Sequence, residues 1–207
     1  IDAIGNAVKL LPSMLGADGP REYLLAAQNP AELRATGGLI GAVALVHADN
    51  GAVTLVRQEA GTSIGPWGAS VADVPSTTEG LYGPLVGRSL QDANLTPHFP
   101  LAASTAAAMW TKSYGGTVDG VVAVDPVVLS GLLKSTGPVT LPTGDTLTSS
   151  NAVKLLLSDV YQRFSKPAEQ DAFFASAASA VFSRLSSGNV DAKKLVSALA
   201  AAGESRR

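Results

Sequence analysis

The chain contains no cysteine and only two histidines among its 207 residues. Without cysteine there can be no disulfide, no thiol nucleophile and no zinc-thiolate site. His47 lies near the end of an expected strand and His98 between two prolines, and neither has an acidic neighbour at ligand spacing on a shared helix. A structural or solvent-facing role is therefore expected for each, with no metal ligand among the candidate residues. Charge is sparse too: 15% of residues are charged, and fifteen basic side chains against seventeen acidic ones leave a formal charge of −2. Nucleic acid is not expected as a partner, because that binding begins with basic side chains neutralising phosphates. Long apolar runs are also missing. The longest, Gly37 to Val46, falls well short of the about 18 residues a spanning helix needs. Ile1 to Leu15 lacks the charged start and small-residue cleavage site of a signal peptide. Both ends read as cut, with no initiator Met and a closing Arg206-Arg207, so an anchor or export signal is expected outside this fragment.

What the chain does have is apolar residues, at 46%, enough to offset the entropy of ordering a core. Residues 1–19 are expected to form an N-terminal helix (Asp2–Leu15) ending a preceding region, and 20–207 a single α/β domain truncated at its C-terminus. Glu22–Ala27 reads as a short strand. Gly38–Ala48 and Ala52–Ala60 flank Asp49-Asn50-Gly51, the strongest short-range hairpin signal, because both turn residues must accept positive φ. Gly61 to Asn94 is a long irregular stretch with a weak helix near Thr77–Val86. Pro100 opens a helix to Tyr114, and Val118–Val124 is a strand. Asp125-Pro126 caps a helix over Val127–Ser135, and Val139–Leu141 is a brief strand. Strand, helix and strand here predict a βαβ unit with a parallel pair. Thr148 or Ser149 caps a helix to Phe164, another runs from Ser165–Pro167 to Ser187, and Asn189 caps a last one. The expected fold is α/β: a mixed sheet with an antiparallel hairpin and a βαβ unit, covered by helices, with a helical C-terminal part.

Gly61-Thr62-Ser63-Ile64-Gly65 matches the nucleophile-elbow string, but an elbow needs a helix directly after the serine, and Pro66-Trp67-Gly68 follows. A chance match in a loop outweighs a hydrolase. Three polar segments carry more weight. The first, Gln28 to Gly38, gathers Asn29, Glu32, Arg34 and Thr36 before a Gly-Gly pair that gives the backbone freedom. An arginine beside backbone amides suits a phosphate or carboxylate, and the same residues equally suit a buried network that shapes a turn. The second, Arg88 to Pro97, presents Arg88, Asp92 and Asn94 before a helix whose free amides favour anions, set against simple Asx-turn chemistry. The third is the helix face of Asn151, Lys154, Ser158 and Tyr161, expected to be a solvated face.

The phrases AQNPAELRATGGLIGAVAL, RSLQDANLTPHFPLAAST, VDGVVAVDPVVLSGLL, TGPVTLP and LTSSNAVKLLLSDVY resemble successive blocks of the bacterial family catalogued as domain of unknown function 4012, over about Pro20 to Tyr161. That resemblance implies an extracytoplasmic, membrane-anchored or cell-wall-associated envelope protein whose anchor lies outside this fragment. A weaker, fold-level similarity runs to the LytR-CpsA-Psr enzymes, which transfer polyprenyl-pyrophosphate-linked glycopolymers onto peptidoglycan. Arg34 falls where the first arginine of those enzymes would. Ala35-Thr36-Gly37 supplies no aspartate there, and Arg57-Gln58-Glu59-Ala60 stands in place of their Pro-Arg-Asp signature. The implied function is binding of envelope glycan or a polyprenyl-phosphate-linked precursor, assisting glycopolymer assembly or transfer. Its alternative is a non-catalytic scaffold recruiting envelope proteins. Any catalysis would be phosphoryl-centred transfer, with Arg34 as charge clamp and Asp92 as base or cation ligand. Asn29, Glu32, Thr36, Arg88 and Asn94 would then bind substrate. No cofactor is indicated; Asp92 leaves room for a divalent cation such as Mg2+ without calling for one.

Overall fold

The computed structural model describes residues 9–188 and 190–205. After a helical stretch α1 (9–14) come β1 (Arg21–Asn29), β2 (Leu39–Asp49), β3 (Ala52–Ala60), α2 (Ser76–Tyr82), α3 (Phe99–Tyr114), β4 (Gly120–Val124) and α4 (Pro126–Thr136). Two short strands follow, β5 (Val139–Thr140) and β6 (Thr146–Leu147). Helix α5 (152–163) is α-helical at Ala152–Lys154, π-helical at Leu155–Asp159 and α-helical again at Val160–Arg163. Helices α6 (Pro167–Ser186) and α7 (Ala192–Glu204) end the described chain. The fold is α/β, with a four-stranded mixed sheet in the order β3-β2-β1-β4. Among the described residues no helix is long and apolar enough to cross a membrane.

The hairpin forms where Asn50-Gly51 places it. Asn50 has φ 47° and Gly51 φ 84°, the pair of positive values a two-residue turn between twisted strands demands. The turn's amides also donate to the carbonyls of Gly16 (3.4 Å) and Leu15 (2.8 Å), just past α1. Helix α4 starts at Asp125, whose carboxylate accepts from the amides of Val127 and Val128, both at 2.9 Å. The expected start of α5 is present as a reciprocal pair: Thr148 Oγ1 accepts from the Asn151 amide while Asn151 Oδ1 accepts from the Thr148 amide.

Several expectations need correction. The last strand of the expected βαβ unit does not join the main sheet; β5 pairs antiparallel with β6 in a sheet of its own. A two-residue strand followed by Thr143-Gly144-Asp145 finds its partner across the nearest turn. The last helix is capped by Asp191, which accepts from the Lys194 amide at 3.1 Å. Asn189 lies outside the described residues, as do Ile1 to Val8 of the expected first helix and Arg206-Arg207. The weak helix near Thr77–Val86 is two pieces, α2 and a 3-10 turn at Pro84–Gly87.

The chain divides into two compact units, each with its own core. One comprises Glu22–Leu45 and Arg57–Ala123. Its core joins Leu24 and Ala26 of β1, Ile40 and Val43 of β2, and Ala106, Met109 and Trp110 of α3. On α3 the buried positions Ala102, Thr105, Ala106, Met109 and Trp110 recur every three or four residues, the stripe a helix needs to lie on a sheet. The long irregular stretch contributes Ile64, Leu90 and Ala93 to the same core, so its polar surface is anchored from below.

The other unit holds the described residues up to Arg21, Val46–Val56 and those from Val124 on. Leu133, Leu141, Leu147, Leu156, Val160, Phe173 and Val181 fill its core. The β5–β6 turn is tied to the end of α5 by Arg163 Nη1 donating to Asp145 Oδ1 at 2.7 Å, with Thr143 Oγ1 donating to Oδ2 at 2.7 Å. The Arg163 hydrogen bond, then that of Thr143, holds the Asp145 carboxyl below the usual carboxylate range.

Two outcomes are expected. Leu90 is fully buried and Leu81 is 73% exposed. Leu90→Ala lowers unfolding stability in urea by about 2–5 kcal/mol, and Leu81→Ala by less than about 0.5 kcal/mol. Because Asp145 gives up its proton more readily when folded, the stability this pair contributes is present above the ordinary carboxylate pKa of about 3.9 and is lost as pH falls through the lower folded value. Thermal melts from pH 7 to 2.5 should show a small stability difference between wild type and Arg163→Ala at neutral pH, vanishing at the acid end.

Candidate functional site

The polar candidates belong to the unit built on β1, β2 and α3. The connection from β1 to β2 is shaped by its own side chains. Asn29 Oδ1 accepts from the Ala31 amide at 3.0 Å, and Asn29 Nδ2 donates to Glu32 Oε1 at 3.0 Å. The Glu32 amide returns to the Asn29 carbonyl, and the Leu39 amide closes on the Glu32 carbonyl at 2.9 Å. Asn29 and Glu32 are thus turn-forming residues, engaged with each other and with nearby backbone. Gly37 has φ 124°, and a Cβ on Gly38 would collide with the Asn29 carbonyl, so the Gly-Gly pair is a steric requirement.

The second segment meets the first at two points. Asn94, 1% exposed, donates from Nδ2 to the Gly38 carbonyl at 2.7 Å. Arg34 donates from Nε to the Gln91 carbonyl at 3.3 Å and from Nη1 to the Leu33 carbonyl at 3.1 Å. Its Nη2 stands 3.6 Å from Asp92 Oδ1, an ion pair too long for a hydrogen bond, with the two side chains 20% and 22% exposed. Arg34, Asp92 and Asn94 are therefore gathered by the fold. Arg88 faces elsewhere with its backbone, its carbonyl accepting from the Trp67 amide at 2.9 Å. Three polar atoms of these segments are buried without a hydrogen-bond partner: Thr36 Oγ1, Arg88 Nε and Asn94 Oδ1.

Guanidinium has five N–H donors in a planar fork, and here two donate to carbonyls. The remaining three suit an anion at the partly open edge, where a phosphate or carboxylate oxygen would compete with Asp92 for Nη2. Asp92 stands against the guanidinium and holds it in place, an arrangement better suited to positioning Arg34 than to acting as a free base. Among the described residues no three His, Asp or Glu side chains gather as a cation site.

The other singled-out residues behave structurally. Ser63 sits in a 3-10 turn, Gly61–Ser63, with its hydroxyl donating to the Ala60 carbonyl at 2.7 Å, and extended backbone follows. His98 Nδ1 accepts from the Leu101 amide at 3.2 Å and caps α3, a role histidine seldom announces in a sequence. On α5, Lys154 pairs with Asp159 at 2.7 Å, and Ser158 accepts from Gln162. The Gln91 and Leu33 carbonyls that hold Arg34 are not legible in the sequence, because a backbone acceptor leaves no signature in side-chain chemistry.

The family model described as "Protein of unknown function (DUF4012)" matches residues 18–161, more than half of the chain. The chain belongs to this family. No curated protein matches the chain. The DUF4012 match contains both polar segments and ends inside α5, so α6 and α7 lie beyond it.

Substitution at the contact points distinguishes steric need from loop tolerance. Gly38→Ala forces the β1–β2 connection apart and lowers the melting temperature. Gly41→Ala, where a Cβ meets nothing within 4 Å, leaves stability unchanged or slightly raised. Asn94→Ala strands the buried Gly38 carbonyl and costs about 1–3 kcal/mol in chemical denaturation.

Proposed function

We propose that this chain is an extracytoplasmic cell-envelope domain, similar to the LytR-CpsA-Psr enzymes in its order of elements. It binds the anionic part of an envelope glycan or of a polyprenyl-phosphate-linked precursor, and so assists glycopolymer assembly. One observation carries the reading: Arg34 is pre-positioned by two backbone carbonyls and still has three N–H donors at a partly open edge. An arginine already ordered loses little freedom on taking a phosphate, which is where binding energy is otherwise dissipated. Asp92 serves in this reading as the positioning residue that keeps the fork aimed.

A specific observation favours a second reading. The same carbonyl bonds and the Asp92 pair give Arg34 a complete structural purpose, that of joining two segments of the unit, and a scaffold presenting these loops to other envelope proteins needs nothing more. Native mass spectrometry with a polyprenyl phosphate, paired with thermal melts, separates the two. For the binding reading, Arg34→Ala retains one lipid fewer than wild type while keeping a cooperative melt, with Arg34→Lys recovering only part. An equal count of retained lipid on wild type and Arg34→Ala, with Arg34→Ala and Asp92→Ala acting chiefly on the melting temperature, would instead assign the segment to the scaffold.

A further inference from the structure

The unit that does not contain Arg34 carries a groove of about 980 Å³ between α4 and α7, at the upper end of the about 300–1,000 Å³ typical of small-molecule sites. It exists because the two helices meet over small residues: at Gly131 an added Cβ would stand 3.5 Å from the Ala198 Cβ. Val128, Leu133, Ala198 and Ala202 give it an apolar lining. Three of its serine hydroxyls are already engaged: Ser130 donates to the Ser149 carbonyl, Ser197 to the Lys193 carbonyl and Ser205 to the Ala201 carbonyl. Two of its three cations are not. Lys134, Lys193 and Lys194 line the groove with Asp191 as its one acid; Asp191 pairs with Lys194 at 3.2 Å, while Lys134 and Lys193 have no ion-pair partner among the described residues.

An apolar trough with two unmatched ammonium groups selects a ligand with a hydrocarbon body and a compact, doubly negative end. We propose that the α4–α7 groove binds the phosphate monoester of a single alkyl chain. The chain lies on the Val128–Ala202 lining and the phosphate is held by Lys134 and Lys193. A phosphate monoester carries about −1.5 to −2 charges near neutrality, matching the two lysines where a carboxylate would leave one unanswered. Lysine suits the task as a mobile point charge whose stem can lie along apolar surface. The groove belongs to a different unit from Arg34, so this proposal does not depend on the reading given above.

The test titrates the whole chain by calorimetry with dodecyl phosphate below its micelle concentration, and maps the site from backbone amide NMR shifts. Saturable binding is expected, with the shifts concentrated in α4 and α7. The double variant Lys134→Glu/Lys193→Glu should weaken binding at least tenfold while keeping the wild-type melt, since both lysines are exposed. Arg34→Ala should leave the shifts in α4 and α7 unchanged. Dodecanol, dodecanoate and inorganic phosphate should each bind at least tenfold more weakly. Equal affinity for dodecanol or dodecanoate would remove the need for a dianion, and equal affinity for inorganic phosphate would remove the need for the chain; either overturns the proposal. So would full affinity in the lysine double variant. Loss of the α4 and α7 shifts in Arg34→Ala alone would overturn it as well, while supporting the Arg34 site.

Discussion

A single buried hydrogen bond, from the Asn94 side-chain amide to the Gly38 carbonyl, ties together the two segments that carry Arg34 and Asp92. It spans 56 residues and lies in an interior where an unanswered carbonyl is costly. Gly38 can offer that carbonyl only because it lacks a side chain, its missing Cβ being the space the Asn29 carbonyl occupies. With Asn94 fixed, the preceding turn brings the Gln91 carbonyl and Asp92 up to Arg34. Leu90 and Ala93, both fully buried, fasten the same turn to the core from beneath. The polar surface is thus the upper side of a packed structure, and its precision comes from the apolar residues interleaved with it.

This arrangement explains why one arginine serves two readings. A guanidinium fixed by carbonyls is both a joint and a ready receptor, and its geometry is the same in either case. What separates them is whether the three remaining N–H groups have a ligand to meet. The chemistry of Asp92 is narrower. A carboxylate facing its own arginine orients that arginine.

Local chemistry was legible in the residues; long-range pairing was not. Asn50-Gly51 announced the hairpin and Asp125-Pro126 the start of α4, because those signals act over two or three residues of backbone. Thr148 was recognisable as a cap for the same reason. The partner of Val139–Thr140 is not legible in the sequence, since two residues carry no pattern that distinguishes one sheet from another. The burial of Asn94 was equally hidden: its amide lies in the core only because β2 presents the Gly38 carbonyl there. The lysine-lined groove went unnoticed because its cations sit on two helices, α4 and α7, far apart in the chain, and neither helix looks unusual alone. Arg34, by contrast, stood out for its setting among amides and glycines, although the carbonyls that hold it could not be foreseen.

The widened turn of α5 has a consequence for everything that follows it. Leu155 and Val160 are five residues apart, which in an ordinary α-helix points them about 140° away from each other. Both are nonetheless buried, because the π-helical stretch Leu155–Asp159 accommodates an extra residue and returns Val160 to the inner side. The phase of the last turn is therefore inherited from that stretch. A chain one residue shorter there would rotate Arg163 by about 100°, swinging it off Asp145 and unlatching the β5–β6 turn without altering a single residue of the latch.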